Sequence, residues 1–169
     1  MKYGTLMYLC NHEENVLMLK KPQRENDPNS GNYTIPGGNL DPKEKGSNPK
    51  GRLECAVRET KEETGIEVLD PVFAGTILFD NSEREFSDLK NPDDFLVYMF
   101  AGTKYEGELK ETNEGKPLWV PKGDLIFYTD NMGDRKMYSW LKTGKNFMGV
   151  VKFKGQVFDE EKSFVDYFN

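Results

Sequence analysis

Two short apolar runs, TLMYLC (Thr5 to Cys10) and NVLMLK (Asn15 to Lys20), flank the polar tetrapeptide NHEE, a pattern that predicts a hairpin or two adjacent strands. The next twelve residues, KPQRENDPNSGN (Lys21 to Asn32), break the pattern with Pro, Asn, Ser and Gly. They read as a loop long enough to carry function. The glycine-rich segment GNYTIPGG (Gly31 to Gly38) follows, and then a second polar loop, NLDPKEKGSNPKG. At its end Asn48 and Pro49 suit an N-cap and a first helical residue, while Gly51 weakens that start and favours one nearer Arg52. From there RLECAVRETKEETG places Leu53, Ala56, Val57, Thr60 and Thr64 on one stripe at helical spacing, and Gly65 supplies the stop.

Beyond Gly65 the apolar positions are β-branched and aromatic. VFAGTILF, FLVYMFAGT, KPLWV and FMGVVKFKGQVF all predict strands. Before the last of these, LIFYTDNMGDRKMYSWLKTG suggests a turn and a second helix over about Asp134 to Lys142. The class is α/β, and strands on both sides of one charged helix argue against a regular βαβ repeat.

Composition narrows the picture. The chain has 169 residues, enough for one domain with its own core. Charged residues make up 31% and mean hydropathy is −0.75. No apolar run approaches the roughly 18 residues of a membrane span, and MKYGTLMYLC is too short and too polar for a signal peptide. The expectation is a cytoplasmic protein with no membrane partner. A net charge of −6 argues against a nucleic-acid polymer as partner, since that binding neutralises many phosphates with basic side chains. Cys10 and Cys55 stand alone, without a C-x-x-C spacing, and read as free thiols. His12, the single histidine, has no assigned role.

The helix carries the candidate chemistry. Glu59, Glu62 and Glu63 stand at i, i+3 and i+4, on neighbouring sectors of one surface beside the apolar stripe. Such a cluster is either a solvated acidic face or a site whose mutual repulsion a divalent cation would relieve. With IPGG upstream, GGNLDPKEKGSNPKGRLECAVRETKEETGI resembles the Nudix box of the Nudix hydrolases. Gly38 and Glu44 match its first part; Arg58, Glu59, Glu62, Glu63, Gly65 and Ile66 match its last. Two departures stand out: six extra residues between Glu44 and Arg58, in the loop before the helix, and Thr60 in place of the usual aliphatic residue. The resemblance implies an α/β/α sandwich around a mixed β-sheet. It also implies Mg²⁺, or alternatively Mn²⁺, held by Glu59, Glu62 and Glu63 with the Gly37 or Gly38 carbonyl, and Arg58 and Glu44 orienting the acids. Of the two carbonyls, Gly38 is the one matched to the box.

The C-terminal half resembles the 8-oxo-dGTP diphosphatases of the MutT-like group, through EGKPLWV, LIFYTDNMGDRKMYSWL and FMGVVKFKGQ. That resemblance makes Glu114, five residues before Trp119, a further metal ligand or base. Asp134 becomes the acid that reads a purine edge. Tyr33, Thr34 and Trp119 would line the base pocket or else belong to the core, and Lys20, with Lys21, either approaches the phosphates or is a solvated strand end. Lys45, Lys50 and Arg52 either hold an extra phosphate or belong to a plain surface loop. Asp134 alternatively caps its helix, and Glu114 and Trp119 alternatively serve as turn and core. The implied reaction is metal-assisted hydrolysis of an oxidised purine nucleoside triphosphate, best matched by 8-oxo-dGTP, to monophosphate and pyrophosphate. This would sanitise the nucleotide pool and so serve DNA repair. Glu59 ranks before Glu114 as general base, with catalytic roles also for Glu62 and Arg58. Other readings are a Nudix enzyme of ADP-ribose or a dinucleoside polyphosphate, a non-catalytic nucleotide sensor, or a partner-binding domain. A homodimer stays open.

Overall fold

The computed structural model describes residues 1–26, 30–40, 48–86, 89–90 and 92–168. In chain order the strands are β1 (Lys2–Leu9), β2 (Asn15–Lys20), β3 (Tyr33–Thr34), β4 (Gly37–Asn39), β5 (Glu67–Val68), β6 (Val72–Asp80), β7 (Glu85–Phe86) and β8 (Leu89–Lys90). The series continues with β9 (Phe95–Gly102), β10 (Tyr105–Glu106), β11 (Lys116–Pro121), β12 (Asn146–Lys154), β13 (Val157–Phe158) and β14 (Phe164–Phe168). Helix α1 (Pro49–Thr64) follows β4, and α2 (Met132–Leu141) follows a 3-10 helix at Lys122–Tyr128.

The large sheet runs β13-β12-β6-β9-β1-β4, with β14 also paired to β12. It is mixed: β1 lies parallel to β9 and β12 parallel to β6, whereas β6–β9 and β1–β4 are antiparallel. A smaller sheet, β11-β2-β3, packs beside it. The two N-terminal runs are therefore strands, yet they belong to different sheets and meet at an isolated Cys10–Val16 bridge.

Strand alternation divides the core between two faces. Met7, Leu9, Leu17 and Phe100 pack with Ala56 of α1, while Tyr8, Val16, Met18, Val97 and Met99 pack with Met137, Tyr138 and Trp140 of α2. Helices thus cover the strands from both sides, which is the expected α/β/α sandwich.

Helix α1 starts where the sequence places its cap. The Asn48 side chain accepts from the Lys50 amide, Pro49 opens the helix, and buried Gly51 is carried inside the first turn instead of delaying it. Gly65 closes the helix in the left-handed conformation at φ 82°, its amide donating to the Lys61 carbonyl. The departure at Thr60 has a physical account. Its fully buried hydroxyl donates to the Ala56 carbonyl at 2.7 Å, and Thr64 repeats the bond to Thr60 at 2.6 Å, so neither polar group is buried unsatisfied. Helix α2 begins two residues before the predicted start. Asn131 is its N-cap, accepting from Gly133 and Asp134, and Asp134 is left in the first turn rather than at the cap.

Candidate active site

The last turns of α1, strand β4 and the 3-10/α2 junction enclose one open cleft of about 730 Å³. Glu59, Glu62, Glu63, Glu114, Gly38, Tyr33, Thr34 and Asp134 all line it, so eight of the expected site residues share one space. Glu44 and Lys45 lie outside the described residues.

At the acidic side Arg58 sits between two glutamates, its guanidinium 2.9 Å from Glu59 and 3.2 Å from Glu62. Glu63 is the buried member. It accepts from the Gly37 amide at 3.3 Å and faces Lys21 Nζ at 3.7 Å. Burial pushes its carboxyl up to about 7; Lys21 and the Gly37 amide hold it down, and the charges of Glu59 and Glu114 push it further up.

The paired glycines admit this packing. A Cβ on Gly38 would fall 2.5 Å from Glu59 Cγ and Cδ, and one on Gly37 would fall 2.0 Å from the Thr5 carbonyl oxygen. The ladder distinguishes their carbonyls. Met7 donates to Pro36 and Leu40 to Tyr3, so in the alternation of antiparallel pairs Thr5 and Gly38 form the bonded pair between them. The Thr5 hydroxyl reaches the Gly38 carbonyl as well, at 3.5 Å. The Gly37 backbone instead faces outward, toward Glu63, which makes its carbonyl the one of the two that opens to the cleft.

Hard oxygen donors on one cleft wall suit a divalent ion such as Mg²⁺. Their arrangement differs from a ready-made cage: among the described residues no three acids, histidines or cysteines are grouped to hold a metal. The reason is visible in the pairs above, since Glu59 and Glu62 turn to Arg58 while Glu63 turns to Lys21 and Gly37.

Two expected residues are placed elsewhere. Trp119 pairs with Leu17 across β2–β11 and packs on Tyr105 at 5.1 Å, against the α1-side core. Lys20 is exposed, 5.6 Å above the Tyr33 ring, and its neighbour Lys21 lines the cleft instead. Arg52 covers the Tyr98 ring at 4.0 Å and Lys50 faces Glu54 at 3.8 Å.

The far side of the cleft contains residues that the sequence pattern did not single out: Asn81, Arg84, Phe79, Phe95, Asn131 and Tyr138. They lie at the end of β6 or just after it, open β9, or belong to α2 and its cap, and no motif spacing links them. Asp134 lies among them, accepting from the Thr129 hydroxyl at 3.3 Å. Burial raises its pKa against the pull of Thr129 and Arg84.

A model of the NUDIX domain family matches residues 2–141. The uncharacterized Nudix hydrolase YvcI of Bacillus subtilis is 25% identical over 139 residues, 80% of this chain and 77% of that protein. The oxidized purine nucleoside triphosphate hydrolase of Danio rerio is 30% identical over 103 residues, 60% of this chain and 61% of its own. Among solved structures, the MutT protein of Bacillus halodurans superposes with a TM-score of 0.72 at 25% identity, covering 99% of this chain and 97% of that one. More distant folds of the same kind are the NUDIX domain of Shewanella oneidensis NrtR complexed with ADP ribose (TM-score 0.64, 14% identity, 84% and 86% covered) and a C. elegans Ap4A hydrolase (0.54, 18%, 83% and 94%).

Proposed function

This chain belongs to the NUDIX domain family, and from that premise we propose that it is a cytoplasmic, Mg²⁺-dependent hydrolase of oxidised purine nucleoside triphosphates, acting as one domain over its whole length. Its best substrate is 8-oxo-dGTP, and the products are the nucleoside monophosphate and pyrophosphate. The observation that carries this reading is the single cleft that joins Glu59, Glu62, Glu63 and Glu114 to Asp134. The similarities to an oxidized purine nucleoside triphosphate hydrolase and to MutT proteins support it.

The four carboxylates and the Gly37 carbonyl are the donors we assign to the ion. When bound, it supplies Lewis acidity toward the phosphate chain and toward water. Arg58 orients Glu59 and Glu62, two of the carboxylates that would hold the ion. Lys21 places a positive charge beside Glu63 and the incoming phosphates. Glu59 accepts the proton of the attacking water, with Glu114 the next candidate for that role. Tyr33 and Thr34 flank the base, and an aromatic face there adds about 1 to 3 kcal/mol of stacking. Asp134 reads the purine edge, where a carboxylate accepts from ring N–H groups.

The test is a substrate panel. Purified protein with Mg²⁺ is assayed on 8-oxo-dGTP, dGTP, ADP-ribose and a dinucleoside tetraphosphate, with products separated by chromatography. Preferred release of pyrophosphate from 8-oxo-dGTP supports the assignment. Faster cleavage of ADP-ribose or of the dinucleotide would replace it with another Nudix substrate.

A further inference from the structure

Glu114 reaches the cleft from a tight turn at residues 112–115, just before β11. The Gly115 amide donates to the Thr112 carbonyl at 3.2 Å and the Thr112 amide to the Gly115 carbonyl at 3.0 Å, while the Glu114 amide donates to the Thr112 hydroxyl at 3.1 Å. Both ends of this stretch are fastened. Upstream, the Lys110 amide donates to the Thr64 carbonyl of α1 at 2.8 Å. Downstream, Lys116 pairs with Lys20, and Gly115 lies so close to β2 that a Cβ on it would fall 2.4 Å from the Lys20 carbonyl oxygen. The tip is tethered as well: the Asn113 carbonyl accepts from Arg24 Nη2.

Arg24 is placed for this by the β2–β3 ladder, which continues past Lys20 and Tyr33. The Lys21 amide donates to the Asn32 carbonyl at 2.8 Å and the Gly31 amide to the Pro22 carbonyl at 3.3 Å, in the same antiparallel register. One step further, the Arg24 amide donates to the Ser30 hydroxyl at 2.6 Å, and that hydroxyl donates to Gln23 Oε1 at 3.1 Å. Because β2 is the middle strand of β11-β2-β3 and antiparallel to β11, the chain leaving β2 passes the chain entering β11. Arg24 and Asn113 meet there. The extension thus carries two cations with different tasks: Lys21 faces Glu63 inside the cleft, whereas Arg24 is exposed, does not line the cleft and holds the turn.

The turn needs holding. Glu114 stands on the cleft wall with Glu59, Glu62 and Glu63, and its charge acts on Glu63. Like charges on one wall push the turn outward. A guanidinium bond to a carbonyl is charge-assisted and opposes that push. Since Asn113 directly precedes Glu114, tilting its peptide moves the carboxylate relative to the α1 acids.

We propose that Arg24 is a positioning residue for the metal site: its bond to the Asn113 carbonyl holds the 112–115 turn, and Glu114 with it, against the repulsion of the α1 carboxylates. Arg24 acts only through Glu114. This rests on the assignment of Glu114 to the ion in the hydrolase reading above.

The probe is Mn²⁺, whose binding to the nucleotide-free protein is followed by loss of the free-ion EPR signal. Wild type, Arg24→Ala, Glu114→Gln and the double variant are compared, with urea denaturation to show that each is folded and with kcat and KM on 8-oxo-dGTP as a second readout. Each single variant is expected to weaken Mn²⁺ binding about tenfold. The double variant is expected to bind no more weakly than Glu114→Gln, because both changes act through one carboxylate. In turnover Arg24→Ala is expected to lower kcat and leave KM for the nucleotide unchanged. Losses that multiply in the double variant, or an Arg24→Ala protein that binds Mn²⁺ as wild type does, would overturn the proposal. So would a KM rise in place of the kcat fall, which would make Arg24 a direct phosphate contact. Undiminished Mn²⁺ binding in Glu114→Gln, or none in wild type, would remove Glu114 from the metal site and the proposal with it. If wild type binds Mn²⁺ but does not turn over the nucleotide, the hydrolase reading fails separately, and the binding comparison alone decides the role of Arg24.

Discussion

The Glu63→Gln substitution isolates the electrostatic strain of the acidic wall. Glu63 is 6% exposed and its carboxyl is pushed up to about 7 from an ordinary 4.5, first by burial and then by Glu59 and Glu114, despite Lys21 and the Gly37 amide. Between those two values the folded protein keeps a proton that the unfolded chain has released. Native therefore binds more protons than unfolded, and stability falls as pH rises through the window from 4.5 to 7. Each unit of difference is worth about 1.4 kcal/mol, so ionised Glu63 costs on the order of 3 kcal/mol above pH 7. The replacing carboxamide is neutral throughout, and its oxygen still accepts from the Gly37 amide. Urea denaturation of wild type and Glu63→Gln in the presence of a chelator, at intervals from about pH 4.5 to 8, measures the difference. The two proteins should be about equally stable at the acid end, and the variant should be more stable by about 3 kcal/mol at about pH 8. Parallel curves, or a variant less stable at the alkaline end, would refute this reasoning and make the Lys21 pair the dominant interaction.

Gly38→Ala should force Glu59 from its position, since the new Cβ would sit 2.5 Å from Glu59 Cγ and Cδ; steady-state kinetics should show at least a tenfold fall in kcat. Asn48→Ala removes the α1 cap, distant from the carboxylates, and should cost about 1 kcal/mol in thermal or urea unfolding while leaving KM unchanged. Tyr8→Phe removes a buried hydroxyl that has no hydrogen-bond partner among the described residues and should be neutral or stabilising by up to about 1 kcal/mol in the same assay.

Legibility in the sequence followed the range of the interactions. Helix α1 was written locally, with cap, stripe and glycine stop within one stretch, and its three glutamates came with it. The side-chain direction of Lys20, Lys21 and Trp119 depended on strand parity, and one residue decides which face is reached. Lys21 enters the cleft and Lys20 does not, while Trp119 follows Leu17 to the α1 side. The apparent N-terminal hairpin divided between two sheets because β9, far along the chain, is a parallel partner for β1, and no local pattern records such a pairing. Arg84 and Asn81 were invisible for a similar reason: their place in the cleft comes from the β12–β13 turn and the start of α2 converging on the end of β6.

The central claim is metal-assisted anhydride hydrolysis by the α1 glutamates, and pyrophosphate release from 8-oxo-dGTP across a Mg²⁺ titration tests it most directly, in wild type and Glu62→Gln. The account predicts turnover that rises from baseline with Mg²⁺, disappears with chelator, and falls at least a hundredfold in the variant. Turnover unchanged by chelator, or undiminished in Glu62→Gln, would contradict it.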